Sequence, residues 1–363
     1  MDIEELISTP TKKKVLANLL IKQYSTRVEL ADETNVTKAT LTNISKELIK
    51  KNIILEDGEV YNGNVGRRQK RLTLVPDAFY ALGIDIGWSD TRVVAINTKL
   101  DIVFEQELSY SSFNESVIDK ILEVVHDFSR TNDYSKVLGV GLLIPGVVQA
   151  GKSVFLSSYN IKERLEKALH RKVIFYNNIR GLALTESFLE KSSKNFLLVK
   201  YGPGVGSVIS LDGGVLEGIH NRAGEIGHIS WNSHSDHICP TCNKRGCLES
   251  EIHYRNLDSK IPYTSENNSV ETKREILRKN HDLLIRNIGE LAKAISYAVD
   301  IIDPSLLIVA GLIFTDDFMY DYLVKEITSL TSTIEGKDIH RIDNYEDKVS
   351  KAAAIIVYSE LFK

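Results

Sequence analysis

Between Lys12 and Ile21 the apolar positions fall at Val15, Leu16, Leu19 and Leu20, the spacing of one helix face. Thr26, with Glu29 three residues on, is a capping-box pattern that opens a short helix running through Thr34. Asn35 follows, a residue that tolerates the left-handed turn conformation. Thr37 then caps a third helix whose Ala39, Leu41, Ile44, Leu48 and Ile49 form its inward stripe. Two short helices joined by a tight turn are the helix-turn-helix pattern. Ile53–Glu56 and Glu59–Tyr61 read as short strands flanking an Asp57-Gly58 turn, and Leu72–Leu74 as a returning strand. Residues 1–75 are therefore predicted to form a winged helix-turn-helix.

From Tyr80 the texture becomes α/β. Ala81–Ile86, Thr91–Asn97 and Ile102–Leu108 read as consecutive strands, Asn114–Arg130 as a helix, Val137–Ile144 as a buried strand. Ile161–His170, Val173–Asn177 and Ile179–Lys191 continue as helix, strand, helix. The pattern restarts with strands at Phe196–Tyr201, Gly206–Leu211 and Gly214–Glu217, and a helical stretch covers about Glu271–Ile302. Leu306–Ala310 is a strand, followed by helices near Asp316–Leu330 and Val349–Phe362. Two halves of the same kind predict a duplicated α/β architecture with a cleft between lobes: lobe one about 79–190 plus the C-terminal helix, lobe two about 191–345.

Charge sharpens the division. Through Val75 there are 13 Lys+Arg against 10 Asp+Glu, a balance of +3; the chain's total of −4 then leaves −7 for the remainder. A basic head on an acidic body fits a DNA-binding module joined to a sensing or enzymatic domain. The third helix offers Lys38, Thr40, Thr42, Asn43 and Lys46 from its exposed face, with Thr37 at its start, for base edges and phosphates. Arg67 and Arg68, in the glycine-containing NGNVGRRQKR segment, suit a narrow minor groove. The competing reading is a helical dimerisation module whose basic residues face water. The 363 residues contain no run of about 18 apolar positions that would span a membrane. The opening MDIEELISTPTKKK has no apolar segment of the secretory kind, so a cytoplasmic location is expected.

All three cysteines fall between Cys239 and Cys247, which points to a metal site rather than a disulfide framework. Cys239-x-x-Cys242, then Cys247, with His228 upstream, supplies the four S and N ligands that structural zinc favours. His234 and His237 are alternative fourth ligands, and free core cysteines are the alternative to a metal.

Four motifs occur in order: IDIGWSDTRVVAIN (Ile84–Asn97), YGPGVGSVISLDGGVLEG (Tyr201–Gly218), RAGEIGH (Arg222–His228) and CPTCNKRGCLE (Cys239–Glu249). With the N-terminal module, the whole chain resembles the ROK family of sugar kinases and sugar-responsive repressors. The resemblance implies an actin/hexokinase-like fold with a sugar site between the lobes. The winged head implies the repressor branch, that of xylose and N-acetylglucosamine repressors. It implies that Glu225, His228 and Glu249 line the sugar, that the zinc loop holds the last two, and that Asn160, Asn177 and Asn178 approach from the other lobe. Glu225 and Glu249 read without the family are equally well explained as loop caps. The zinc loop departs from the family by one residue, since Pro240 and Thr241 separate the first two cysteines where one residue is usual.

Other departures concern phosphoryl transfer. ROK kinases carry an Asn-Asp pair whose Asp takes the sugar hydroxyl proton; here the pair is Asn177-Asn178, and an amide cannot accept that proton. The family's Asp-x-Gly-Gly-Thr loop reads Asp85-Ile86-Gly87-Trp88-Ser89, Pro203 stands where a Thr is usual, and Gly311-Leu312 replaces a Gly-Gly. The expectation is therefore a DNA-binding repressor, not an enzyme, that responds to a sugar or sugar derivative. It is expected to act as a homodimer or pair of dimers on a palindromic operator. A sugar kinase with a DNA-binding head, and a regulator governed by a protein partner, are the alternatives.

Overall fold

The computed structural model describes residues 8–60, 69–87, 90–146, 148–149, 152–153, 159–189, 194–202, 204–239, 241–253, 281–343 and 345–363. The chain divides into two compact units: Met1–Pro145 with Gly151–Gly181 and Ser350–Lys363, and Gly146–Ala150 with Leu182–Val349.

The first unit opens with α1 (Pro10–Lys22), capped by Thr9 and burying Val15, Leu16, Leu19 and Leu20. A short strand, β1 (Ser25–Thr26), leads into α2 (Arg27–Thr34), where both bonds of the Thr26–Glu29 capping box are made. Asn35 takes φ 55° at the turn, and α3 (Lys38–Lys50) follows with Thr37 as its cap. Leu41 and Leu48 are buried as read, but Ala39 is exposed and Ser45 is buried in its stead. Ser45 tolerates burial because its hydroxyl donates to the Thr42 carbonyl and accepts from Arg27 Nε. Asp57-Gly58 is not a turn between two strands. It is an irregularity within one strand, β2 (Ile54–Val60), whose register against β3 (Gln69–Leu74) shifts between Glu56 and Glu59. With β1 on its other side, β3 is the centre of a three-stranded sheet. Tyr61, Arg67 and Arg68 lie outside the described residues.

The same unit continues as a five-stranded sheet in the order β10-β7-β4-β5-β6. Its strands are β4 (Tyr80–Ile86), β5 (Asp90–Ile96), β6 (Ile102–Ser109), β7 (Val137–Ile144) and β10 (Val173–Asn177); two-residue strands β8 (Val148–Gln149) and β9 (Lys152–Ser153) intervene. β4, β5 and β6 are antiparallel neighbours, whereas β4–β7 and β7–β10 are parallel. β7 is buried at every position, as a parallel strand covered on both faces must be. α4 (Glu115–Thr131), capped by Asn114, packs a stripe from Val117 to Phe128, and α5 (Ile161–Leu169) precedes β10. α6 (Asn178–Leu189) starts directly from β10. The C-terminal helix α10 (Tyr345–Leu361) presses Ala353 and Ala354 onto the sheet at Gly141 and Gly83. A Cβ at Gly141 would stand 1.7 Å from the Ala353 carbonyl oxygen, so only glycine admits this approach.

The second unit repeats the plan in the order β13-β12-β11-β14-β15. β11 (Phe196–Tyr201), β12 (Val205–Leu211) and β13 (Gly214–Val215) are antiparallel, and β14 (Leu306–Ala310) and β15 (Ile339–Arg341) add in parallel. A short helix, α7 (Leu248–Ile252), follows the cysteine loop. α8 (His281–Ile302) buries Leu284, Ile288, Leu291, Ile295 and Val299, and α9 (Asp317–Leu330) packs beside it. The expected start of α8 near Glu271 lies outside the described residues.

Candidate DNA-binding face, metal centre and ligand residues

On α3, Thr37, Lys38, Thr40, Asn43 and Lys46 are exposed, and so is Lys50, which the sequence reading passed over. Lys38, Lys46 and Lys50 enter no ion pair among the described residues. The neighbouring cations are engaged: Lys12 and Lys51 with Glu47, Arg27 and Lys70 with Glu56, Arg71 with Asp57. Thr37 is occupied as a cap, accepting from the Thr40 amide at 3.1 Å. Thr42 is half-buried and donates its hydroxyl to the Lys38 carbonyl at 2.7 Å, leaving it little to offer a base. The exposed polar face of α3 apart from its cap is Lys38, Thr40, Asn43, Lys46 and Lys50.

His228, Cys239, Cys242 and Cys247 converge in the second unit, their ligand atoms all within 4.8 Å of one another. His228 ends a short 3-10 helix begun at Ile226, and its Nδ1 lies 3.7 Å from Cys239 Sγ and 4.0 Å from Cys247 Sγ. The edges of a tetrahedron built on Zn–S bonds of about 2.3 Å and a Zn–N bond of about 2.0 Å are about 3.5–3.8 Å, so the set fits zinc with modest contraction. The loop is closed by backbone bonds, Cys239 N to the Lys244 carbonyl and Gly246 N to the His237 carbonyl. Gly246 sits at φ 61°, where a Cβ would meet the Asn232 carbonyl oxygen at 1.7 Å. Burial pushes the Cys239 thiol up to about 12, so a metal must displace its proton. His237 faces Glu251 at 3.3 Å instead, and neither it nor His234 belongs to the cluster.

Glu249, from α7, is buried beside this cluster. Its Oε2 accepts the Val205 amide at 3.0 Å; its Oε1 accepts the Thr241 hydroxyl at 3.2 Å and lies 3.6 Å from Cys239 Sγ. The carboxylate thus ties β12 to the cysteine loop, a role that sequence reasoning left as an alternative to sugar binding. Glu225 precedes the His228 turn and is half-buried. Glu251 was missed; it accepts from Ser235 and Asn232 and stiffens the loop from the other side.

The asparagines belong to the first unit. Asn177 is buried, and its Oδ1 accepts the Arg180 amide at 2.9 Å, capping α6. Asn178 is half-buried at the start of that helix, and Asn160 is exposed in the left-handed conformation before α5. In the β4–β5 turn, Gly87 N donates to the Asp90 carbonyl at 2.7 Å, and the Tyr110 hydroxyl reaches the carbonyls of Gly87 and Asp90. Trp88, Ser89 and Pro203 lie outside the described residues.

Among curated relatives, the DNA-binding transcriptional dual regulator NagC of Escherichia coli strain K12 is 24% identical over 331 residues, 82% of this chain and 80% of that protein. The xylose repressor of Bacillus subtilis strain 168 is 23% identical over 262 residues, 69% of this chain and 67% of its own length. Among solved structures, a ROK family transcriptional regulator, described as a homologue of the E. coli MLC protein, superposes with a TM-score of 0.72 at 20% identity, covering 97% of this chain and 98% of its own. A ROK hexokinase from Thermus thermophilus does so with 0.62 at 19%, covering 78% and 99%. The ROK family model matches residues 81–355, which hold the EIGH turn, the cysteine loop and, but for Tyr80, both five-stranded sheets, and the chain belongs to the ROK family.

Proposed function

We propose that this protein is a cytoplasmic, sugar-responsive transcriptional regulator, acting as a repressor. The observation that carries this reading is the α3 face, whose Lys38, Lys46 and Lys50 are unpaired among the described residues while the surrounding cations are held by Glu47, Glu56 and Asp57. The repressor names of relatives that align over most of the chain support it. In this reading α3 enters the major groove, Arg67 and Arg68 enter a narrow minor groove, and a homodimer or pair of dimers spans a palindromic operator. Zinc is held by His228, Cys239, Cys242 and Cys247 and supplies a cross-link, not chemistry. The effector is a sugar or sugar phosphate, and its candidate contacts are Glu225, His228 and Glu249 of the second unit and Asn160, Asn177 and Asn178 of the first. Differential affinity of that effector for two conformations, about 1–3 kcal/mol, suffices for a 5–150-fold change in operator affinity.

Kinase activity is absent in this reading. The amide of Asn178 cannot serve as general base, and the Oδ1 of Asn177 already accepts the Arg180 amide.

The test is selection of duplexes from a random pool by the purified protein, followed by titration at several salt concentrations. A palindromic sequence should be enriched. The Lys38→Ala/Lys46→Ala variant should lower the slope of log affinity against log salt by about 2, near 0.9 for each lost phosphate contact. Absence of any enriched sequence, or ATP-dependent sugar phosphorylation by the unmodified protein, would overturn the reading.

A further inference from the structure

The head and the first five-stranded sheet are joined by more than chain continuity. β3 runs into β4 through Val75–Phe79, and the turn between β5 and β6 folds over this link. Thr98, fully buried on that turn, donates from its amide to the Pro76 carbonyl at 3.0 Å, and its hydroxyl lies 2.8 Å and 2.9 Å from the carbonyl oxygens of Val75 and Pro76. Lys99 reaches past the link into the head. Its Nζ donates to Thr73 Oγ1 on β3 and to the carbonyl of Gln23, the left-handed residue that ends α1, at 3.4 Å. Thr73 donates to the same Gln23 carbonyl at 2.8 Å. The turn is itself rigid: Asn97 Oδ1 accepts the amides of Lys99 and Asp101, and Leu100 is held at φ 61°. Arg71, paired with Asp57 and lying over the Tyr24 ring, closes the joint beside Lys99.

We propose that Thr98 and Lys99 are positioning residues that clamp the DNA-binding head to the first sheet and set the direction in which α3 is presented. One side of the clamp grips the end of α1 and the wing strand; the other is the hairpin of β5 and β6. Lys136, just before β7, also donates to the link, at the Asp77 carbonyl (2.8 Å), but among the described residues the bonds of Lys99 are the ones that carry the sheet past the link to the end of α1 and to β3. Burial lowers the Lys99 ammonium from the ordinary lysine range, as expected of an amine turned inward onto Thr73 and Gln23. The purpose assigned to the clamp rests on reading residues 8–75 as a DNA head, whereas its mechanical part is testable without DNA.

The experiment compares wild type with Lys99→Met, Thr98→Val and Lys99→Arg. Hydrogen exchange should show the amides of Val75, Ala78 and Thr98 exchanging at least tenfold faster in Lys99→Met and Thr98→Val, with the α3 amides unchanged and Lys99→Arg close to wild type. On a duplex selected by the wild-type protein, the unmodified chain should discriminate at least tenfold against half-sites moved apart by five base pairs, and Lys99→Met should fall below threefold. Unchanged exchange at the joint in both variants overturns the clamp. Faster exchange with wild-type spacing discrimination overturns its positioning role. If the wild type selects no duplex, the proposed function fails by that result, and exchange alone decides the clamp.

Discussion

Replacing Glu249 by alanine separates two roles the carboxylate could serve. The structure gives it two donors, the buried Val205 amide at 3.0 Å and the Thr241 hydroxyl at 3.2 Å. Truncation leaves the Val205 N–H buried without its acceptor, a penalty of about 1–3 kcal/mol, and releases Thr241 from the loop. Glu249→Gln keeps an oxygen for Val205 and an amide for Thr241, so it loses only the charge assistance, about 1 kcal/mol. For a unit of this size each kcal/mol moves the midpoint by about 2–4 °C, so Glu249→Ala should melt about 2–12 °C below wild type and Glu249→Gln about 2–4 °C below. The assay is differential scanning calorimetry of zinc-loaded protein without sugar, read on the transition that includes the second unit. Glu249→Ala melting within 1 °C of wild type, or Glu249→Gln falling as far as alanine, would refute the structural tie. Glu249 would then act on ligand alone.

Gly141→Ala should prevent α10 from seating, because the new methyl would lie 1.7 Å from the Ala353 carbonyl oxygen; the expected outcome is loss of soluble, monodisperse protein on size-exclusion chromatography, and a soluble variant with wild-type melting would refute it. Acid should loosen the head. Glu29 is held below its ordinary 4.5 chiefly by the Thr26 amide, Glu47 by Lys12 and Lys51, and Glu56 by Lys70 and Arg27. Their contribution is therefore present above pH 4.5 and lost as pH falls through the lower folded values. Thermal melts of wild type and Glu29→Gln should differ at pH 6 and converge towards pH 3, and a gap that persists in acid would count against the capping box as the cause.

What was legible in the sequence was whatever depends on near neighbours. The Thr26–Glu29 capping box spans three residues, so its two residue types announce its bonds, and the left-handed Asn35 follows from the end of the helix it opens. β7, β10, β11 and β14 were read at their observed limits, because a short apolar run marks a strand covered on both faces. Three thiols within one short loop, with His228 upstream, pointed to the cluster that forms.

Tertiary structure decided the partners. Asp57-Gly58 carries a turn signal, yet β3 pairs on either side of it, so it becomes an irregularity in one long strand. Ser45 shares the buried face of Leu41 and Leu48, and its hydroxyl is satisfied there partly by Arg27, from another helix, a partner that no local pattern records. Asn177 caps a helix, and Glu249 binds an amide 44 residues away; either residue type would read the same at a ligand site. Gly83 and Gly141 are needed only because α10 returns from the far end of the chain to lie against them. Periodicity fixes which face of an element turns inward. The group that meets a buried polar atom depends on long-range packing, which is why the bond of Glu249 to Val205 emerged only from the fold.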